Sequence, residues 1–309
     1  MIIRVDRLPV DIPKPKNPNP DAAAAVQELL GGKFGEMSTL MNYTFQSFNF
    51  RGRTGLRPFY DLVASIAAEE YSHIEMVTYT INLLLSGATE RGLDPTVAPL
   101  QDVLGARNSD HFLNTGQTAL PVDSMGRPWT GDNVFSSGNL KLDMLHNFFL
   151  ECGARANKIR VYETTTDPTA RAMVGFLLVR GGVHIVAYAK ALEKITGVNV
   201  GKLLPIPDIS NKRFPEARRH EERGIHQVLF RWSLEDFRQI EQIWNGNHPE
   251  DGSPLVVEDG IPEGVPMPDL EAEPQLTAPL GPDIEGEMFK DVAEKMFGKG
   301  VLAEARAKR

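Results

Sequence analysis

Four long segments with helical spacing of their apolar residues constrain the fold of this 309-residue chain more than any other feature. They predict helices over about 21–50, 56–85, 138–164 and 168–197, the first of them bent at Gly31–Gly32. A loop-rich connection runs from the end of the second helix to about residue 136. Four long helices joined by one long crossover, without a long run of alternating apolar and polar residues, favour an all-α four-helix bundle.

The two ends of the chain differ from this helical part. Residues 1–20 contain five prolines and are predicted to form an extended arm, with the bundle over 21–197 and a C-terminal region over 198–309. Between residues 239 and 289 there are eight prolines and no lysine or arginine, which a disordered tail would also show. Interspersed apolar residues and a final amphipathic segment favour an extended, mostly irregular strap with short helices. This strap would pack on the bundle or on a neighbouring subunit.

Charge and composition exclude several classes of partner. The net charge is -8 and no block of basic residues occurs, which argues against nucleic acid or an anionic membrane surface. No stretch approaches the roughly 20 apolar residues of a membrane span, and prolines and charges interrupt the N-terminus where a secretion signal would be apolar. The single cysteine, Cys152, fits a reducing compartment. We therefore expect a cytoplasmic protein.

Polar residues occupy apolar faces of the predicted helices. The stretch "AAEEYSHIEM" places Glu70 and His73 on the core-facing side of the second helix, where a buried carboxylate needs a partner or a metal. Glu36, Glu151 and His184 point inward from the first, third and fourth helices in the same way. An isolated E-x-x-H would favour a local hydrogen-bonded pair. Ligand-type residues on all four helices instead indicate a dinuclear metal centre.

The segments that carry these residues resemble the non-haem manganese catalases of the ferritin-like superfamily. The similarity extends over the whole chain and includes "GEMSTLMNYTFQSFNFRG", "IAAEEYSHIEMV", "LECGARANKIRVYE" and "LLVRGGVHIVAYAKALEKITGV". It implies a ferritin-like bundle with two manganese ions per subunit. It also implies disproportionation of hydrogen peroxide to water and O2, with the centre cycling between Mn(II)2 and Mn(III)2. A homohexamer is a further implication.

The resemblance assigns a role to each ligand-type residue. Glu36 would bind one manganese ion and Glu151 the other, while Glu70 would bridge the pair. His73 and His184 would each bind one ion. Hard oxygen donors with some imidazole suit manganese or iron, but divalent manganese binds weakest in its series, so the identity of the metal rests on the resemblance.

The resemblance also concerns residues around the ligands. Tyr43 matches a phenol that donates to a ligand carboxylate, and Lys158 matches a cation beside the cluster. Some members carry a proton-handling glutamate three residues before the second histidine, where this chain has Gly181. We expect a solvent bridge between the metals, with Lys158 and Tyr43 nearby, to take over that role. Asp61 matches a position that contributes to a calcium site in some relatives. An acid in the first turn of a helix is the alternative reading of Asp61.

Two other functions fit parts of the pattern. A di-iron carboxylate oxidase or ferroxidase would carry a second E-x-x-H, which "GGVH" does not supply. A non-enzymatic structural relative, of the kind found in spore coats, could lose ligands, whereas this chain retains all five. The stretch "HEERGIH" is not a zinc-protease helix, because H-E-x-x-H requires a histidine where Gly224 stands. The sequence thus favours the catalase.

Overall fold

Helices form the long periodic segments in the computed structural model, which describes residues 6–88, 106–200, 209–260, 262, 264–267, 269–270 and 287–298. The helices are α1 (Pro20–Gly31), α2 (Glu36–Phe48), α3 (Arg57–Leu85), α4 (Asp110–Leu113), α5 (Leu140–Thr164), α6 (Pro168–Thr196), α7 (Pro215–Glu221) and α8 (Glu287–Phe297). Short 3-10 turns lie at Gly131–Asn133, Ile225–Gln227 and Arg238–Gln242. The chain divides into a large unit up to Leu270 and a small one from Glu271, whose described part is α8.

Two small sheets add to the helices. β1 (Arg7–Leu8) pairs antiparallel with β4 (Val265–Pro266), and β2 (Val228–Arg231) pairs parallel with β3 (Val256–Asp259). The four strands found among the described residues lie in the two terminal regions. The sequence did not predict these strands, because each has at most four residues. Pairings so short show no detectable alternation of apolar and polar residues.

The first predicted helix is two helices rather than one bent helix. The break falls at residues 32–35, after Gly31, where an added Cβ atom would lie 2.3 Å from the carbonyl oxygen of Val122. The crossover backbone therefore packs directly on the end of α1, and only glycine permits that approach. As a result α2 starts anew at Glu36, which is fully buried.

Capping residues set the ends of α6, the central helix of the bundle. The Asp167 carboxylate accepts hydrogen bonds from the backbone N–H groups of Thr169 and Ala170, and Gly197 ends the helix with a φ of 72°. α6 is long and apolar enough to cross a membrane, but its apolar stretch is entirely buried within the structure. It is therefore packed as the core helix of a bundle is.

The core consists of two apolar clusters stacked along the bundle. One contains Met76 and Val77 of α3 with Leu177 and Leu178 of α6. The other contains Leu62 and Ile66 of α3 with Val183 and Ile185 of α6, among others. The two clusters meet near Glu69, Glu70 and His73 on α3 and near Arg180 and His184 on α6, so these buried polar side chains form a layer that apolar packing encloses.

The described residues of the C-terminal region up to Leu270 include elements that pack on the bundle. α7 and the turn Ile225–Gln227 contact α6, and the turn Arg238–Gln242 contacts α3. The hydroxyl of Ser65 on α3 donates to the carbonyl of Phe230. Of the last predicted amphipathic segment, residues 286–308, the structure describes 287–298, and the rest lies outside the described residues. The predicted division into residues 1–20, 21–197 and 198–309 stays a prediction.

Candidate metal centre

The five predicted ligands converge in the polar layer as two overlapping groups. Glu36, Glu70 and His73 offer ligand atoms within 4.8 Å of one another, and so do Glu70, Glu151 and His184. Oε2 of Glu70 lies 3.0 Å from Nδ1 of His73, and its Oε1 lies 2.8 Å from Nδ1 of His184. Each carboxylate oxygen of Glu70 therefore faces one group. Two groups that share one carboxylate have the arrangement needed for two neighbouring ions.

The carboxylates of Glu36 and Glu151 complete the two groups, and their hydrogen bonding indicates whether a metal fits. Oε2 of Glu36 lies 3.4 Å from Nδ1 of His73, and Oε1 of Glu151 lies 3.3 Å from Nδ1 of His184. Oε2 of each of these glutamates is buried and has no hydrogen-bond partner among the described residues. Burying such an atom without a partner is costly, and a divalent cation would supply the partner. The residues therefore fit the pair of metal ions.

The charges of the carboxylates act on the two imidazoles. Burial alone would lower the pKa of His73, but Glu70, Glu36 and Glu69 raise it to about 10. The pKa of His184 is likewise held well above its ordinary value, against burial, by Glu69 and Glu151. An imidazole must be neutral at the nitrogen that binds a metal, so metal ions displace protons when they bind here.

Another buried acid, Glu69, connects the two imidazoles on their far side and was not among the predicted site residues. Its Oε1 lies 3.6 Å from Nε2 of His73, and its Oε2 lies 3.4 Å from Nε2 of His184. The Arg180 guanidinium donates to both carboxylate oxygens of Glu69, from Nε to Oε1 at 2.6 Å and from Nη2 to Oε2 at 3.1 Å. Glu69 is therefore placed to orient both rings, as outer carboxylates do at metal-binding histidines.

The C-terminal region holds this ion pair in place. Nη1 of Arg180 donates to the carbonyls of Ile225 at 3.0 Å and Val228 at 2.8 Å. The indole N–H of Trp232 donates to Oε2 of Glu69 at 3.3 Å. The strap therefore contributes to the surroundings of the metal ligands, although it supplies none of the five predicted ligands.

The predicted outer residues Tyr43 and Lys158 contact ligand carboxylates. The Tyr43 hydroxyl donates to Oε1 of Glu151 at 2.7 Å. Nζ of Lys158 lies 2.8 Å from Oε1 of Glu36, and although burial opposes it, the surrounding glutamates raise the pKa of Lys158 above its ordinary value. A Cβ atom on Gly181 would lie 3.7 Å from Nζ. The ammonium thus lies beside the position where some family members carry a glutamate.

Asp61 lies apart from these groups. It is fully buried, its Oδ1 lies 2.6 Å from Nε of Arg57, and its Oδ2 accepts the backbone N–H of Gln239. Asp61 belongs to none of the groups of acids and imidazoles that have metal-ligand spacing in the described part of the chain. The calcium site at Asp61 stays a prediction, and the described contacts of its carboxylate are those to Arg57 and to the backbone of Gln239.

Most of the chain matches a known protein family. The family model described as manganese containing catalase matches residues 1–292. The chain belongs to this family. Membership implies manganese as the metal and hydrogen peroxide as the substrate, and it agrees with a centre built from carboxylates and imidazoles.

The chain is also similar in sequence to individual manganese catalases. The manganese catalase of Bacillus subtilis strain 168 is 34% identical over 244 residues, which cover 77% of this chain and 84% of the relative. The manganese catalase of Lactiplantibacillus plantarum is 33% identical over 186 residues, covering 59% of this chain and 68% of the relative. The predicted family and the enzymatic function are confirmed. Neither the di-iron oxidase nor the structural relative is better supported.

The fold of the chain is similar to that of a solved structure. The crystal structure of KatB, a manganese catalase from Anabaena, matches with a TM-score of 0.54 at 20% sequence identity, over 84% of this chain and 99% of that one. At this identity the likeness shows the fold alone. The predicted all-α, ferritin-like fold class is confirmed.

Proposed function

We propose that this chain disproportionates hydrogen peroxide at two manganese ions bound by Glu36, Glu70, His73, Glu151 and His184. The observation that carries the proposal is the division of the Glu70 carboxylate between two buried groups. In this arrangement both ions would share Glu70. Glu36 and His73 would hold one ion, and Glu151 and His184 would hold the other.

The protein supplies binding, orientation and exclusion of water. Two bound manganese ions provide two one-electron changes, between Mn(II)2 and Mn(III)2, which match the two electrons exchanged in each half of the disproportionation. Two such ions can accept more ligands than these five side chains provide, so coordination positions would remain open for solvent and substrate. The apolar clusters on either side of the layer keep bulk water away, which strengthens every electrostatic contact inside.

We assign Lys158 and Tyr43 to holding protons beside the ligands. Lys158→Met is expected to lower turnover by about 100-fold, the usual effect of removing a positioned proton-transfer group. The variant keeps the length of the side chain but removes the ammonium that lies 2.8 Å from Glu36. Oxygen evolution across a pH range, at equal manganese content, measures the effect. Lys190→Met is the matched control, because Lys190 lies outside the metal centre and donates to the backbone of Asn245. Unchanged turnover and an unchanged pH profile in Lys158→Met would contradict the proton-holding role of Lys158.

The proposal as a whole is tested on the purified chain by measuring oxygen evolution from hydrogen peroxide and metal content on the same sample. We expect oxygen evolution with about two manganese ions per chain, as in other two-metal bundle sites. Two iron ions without oxygen evolution would favour the di-iron oxidase. Two manganese ions without oxygen evolution would favour a structural relative.

We further propose a homo-oligomer, a hexamer by family resemblance, in the cytoplasm. Leu142, Leu145 and Phe149 are spaced for one face of α5 and expose 51%, 37% and 54% of their surface. Phe48 on α2 is 75% exposed. Large exposed apolar side chains that cluster on one face are typical of subunit contacts. Light scattering measures the mass, and a value near the 34.2 kDa of a single chain would contradict the oligomer.

A further inference from the structure

A second group of metal-ligand side chains lies in the C-terminal region, outside the bundle helices. His226, His248 and Asp251 each offer a ligand atom, and these atoms lie within 4.8 Å of one another. Nε2 of His226 lies 2.8 Å from Oδ2 of Asp251, and Nδ1 of His248 lies 3.3 Å from Oδ1 of Asp251. None of these residues belongs to the centre described above.

The parallel pairing of β2 and β3 brings this group together. Val228 pairs with Val256, so the residues that precede the two strands meet at one edge of the sheet. His226 lies in the turn before β2, and the loop 247–254 precedes β3. That loop is closed by a β-bridge between Asn247 and Pro254 and by a hydrogen bond of 2.7 Å from the N–H of His248 to the carbonyl of Ser253. The fold therefore positions the three side chains before any ion binds.

The local chemistry keeps the group in a form that can bind a cation. The backbone N–H and the hydroxyl of Ser253 both donate to Oδ1 of Asp251, and against burial these contacts and His226 hold the pKa of Asp251 well below its usual range. Burial lowers the pKa of His248, which favours the neutral ring. Metal ligands need an ionised carboxylate and neutral imidazoles.

The ring nitrogen of His248 that lies near Asp251 has only a weak hydrogen-bond partner. Nδ1 of His248 accepts the backbone N–H of Glu250 at 3.3 Å, a long contact that a cation would replace. The stretch from residue 239 to 289 has no lysine or arginine that would compete for the acid.

We propose that His226, His248 and Asp251 form a structural site for one divalent transition-metal ion of the zinc class. Two imidazoles with one carboxylate suit these ions, and the side chain of Asp251 is 46% exposed, so solvent can fill the remaining coordination positions. A bound ion would join the turn 225–227 to the loop 247–254. The same turn carries the Ile225 carbonyl that holds Arg180.

The test titrates the manganese-loaded full chain with Co2+, which gives visible absorption bands in a site with few ligands, and then displaces it with Zn2+. We expect one equivalent to bind beyond the manganese in the unmodified chain and in the control Glu250→Gln. Asp251→Asn and His226→Gln should lose this equivalent, and Zn2+ should raise the thermal midpoint only in the chains that bind it. Oxygen evolution should be the same in all four proteins.

Two results would overturn the site. One is an unmodified chain that binds no Co2+ or Zn2+ beyond its manganese content. The other is retention of the extra equivalent by both variants of the group. Because Asp251 is half-exposed, Asp251→Asn decides the question even where His226→Gln fails to fold. The inference does not depend on the dinuclear assignment, whose failure would appear in the manganese content instead.

Discussion

Glu70→Ala is expected to abolish manganese binding and oxygen evolution together. Glu70 is the residue common to both ligand groups, with one oxygen 3.0 Å from His73 and the other 2.8 Å from His184. Each ion would therefore lose a ligand in a site that offers only five side chains. Removing either outer carboxylate, Glu36 or Glu151, affects one group directly, so Glu70→Ala should be the most severe of the three carboxylate variants.

Manganese content by mass spectrometry and oxygen evolution on the same preparations measure this effect. Content should fall from about two ions per chain towards zero, with activity at background. Glu163→Ala is the matched control, because Glu163 lies on the exposed side of α5 in a surface ion pair with Arg213. A Glu70→Ala protein that keeps two manganese ions would show that Glu70 does not bridge them.

Arg180→Met is expected to lower the free energy of unfolding by about 3–5 kcal/mol, the usual effect of removing one partner of a buried ion pair. Arg180 is fully buried and holds both oxygens of Glu69, which would be left as a buried charge without its guanidinium. Pairing the change with Glu69→Gln should restore much of the loss, because the remaining side chains are then neutral. The control Arg171→Met removes an arginine whose Nε donates to the Thr165 carbonyl near the start of α6.

Denaturant unfolding of the single and double variants measures the coupling between Arg180 and Glu69. A second readout is metal affinity, which Glu69→Gln should lower about 10- to 100-fold because both imidazoles lose the group that orients them. If Arg180→Met and the double variant were equally destabilised, with manganese affinity unchanged in Glu69→Gln, the orienting role of this pair would be wrong.

The helices and the candidate ligands were predictable because both follow from local periodicity. Leu62, Ile66, Glu70 and His73 recur at helical spacing, so a single stripe identifies the buried face of α3. The start of α6 was predictable from the Asp167 cap for the same reason. These signals lie within one helical segment and its flanking residues, and tertiary contacts did not override them.

Glu69 was not predictable from that stripe. It lies about 100° around the helix from Glu70, and its burial depends on Arg180 and on Trp232, which is distant in sequence. Two sequence signals could have pointed to it: the spacing of four residues from Glu69 to His73, and an arginine within the apolar run of α6. The break after Gly31 depends likewise on Val122 of the crossover. Such features are set by long-range packing.

The position of the strap along the chain has a consequence for how the enzyme matures. All five proposed ligands precede residue 185, whereas the carbonyls of Ile225 and Val228 and the indole of Trp232 follow it. Synthesis runs from the N-terminus, so a nascent bundle leaves the ribosome with its complete ligand set before Arg180 has its backbone partners. The partners that hold the Glu69–Arg180 pair are therefore the last part of the surroundings of the site to be synthesised.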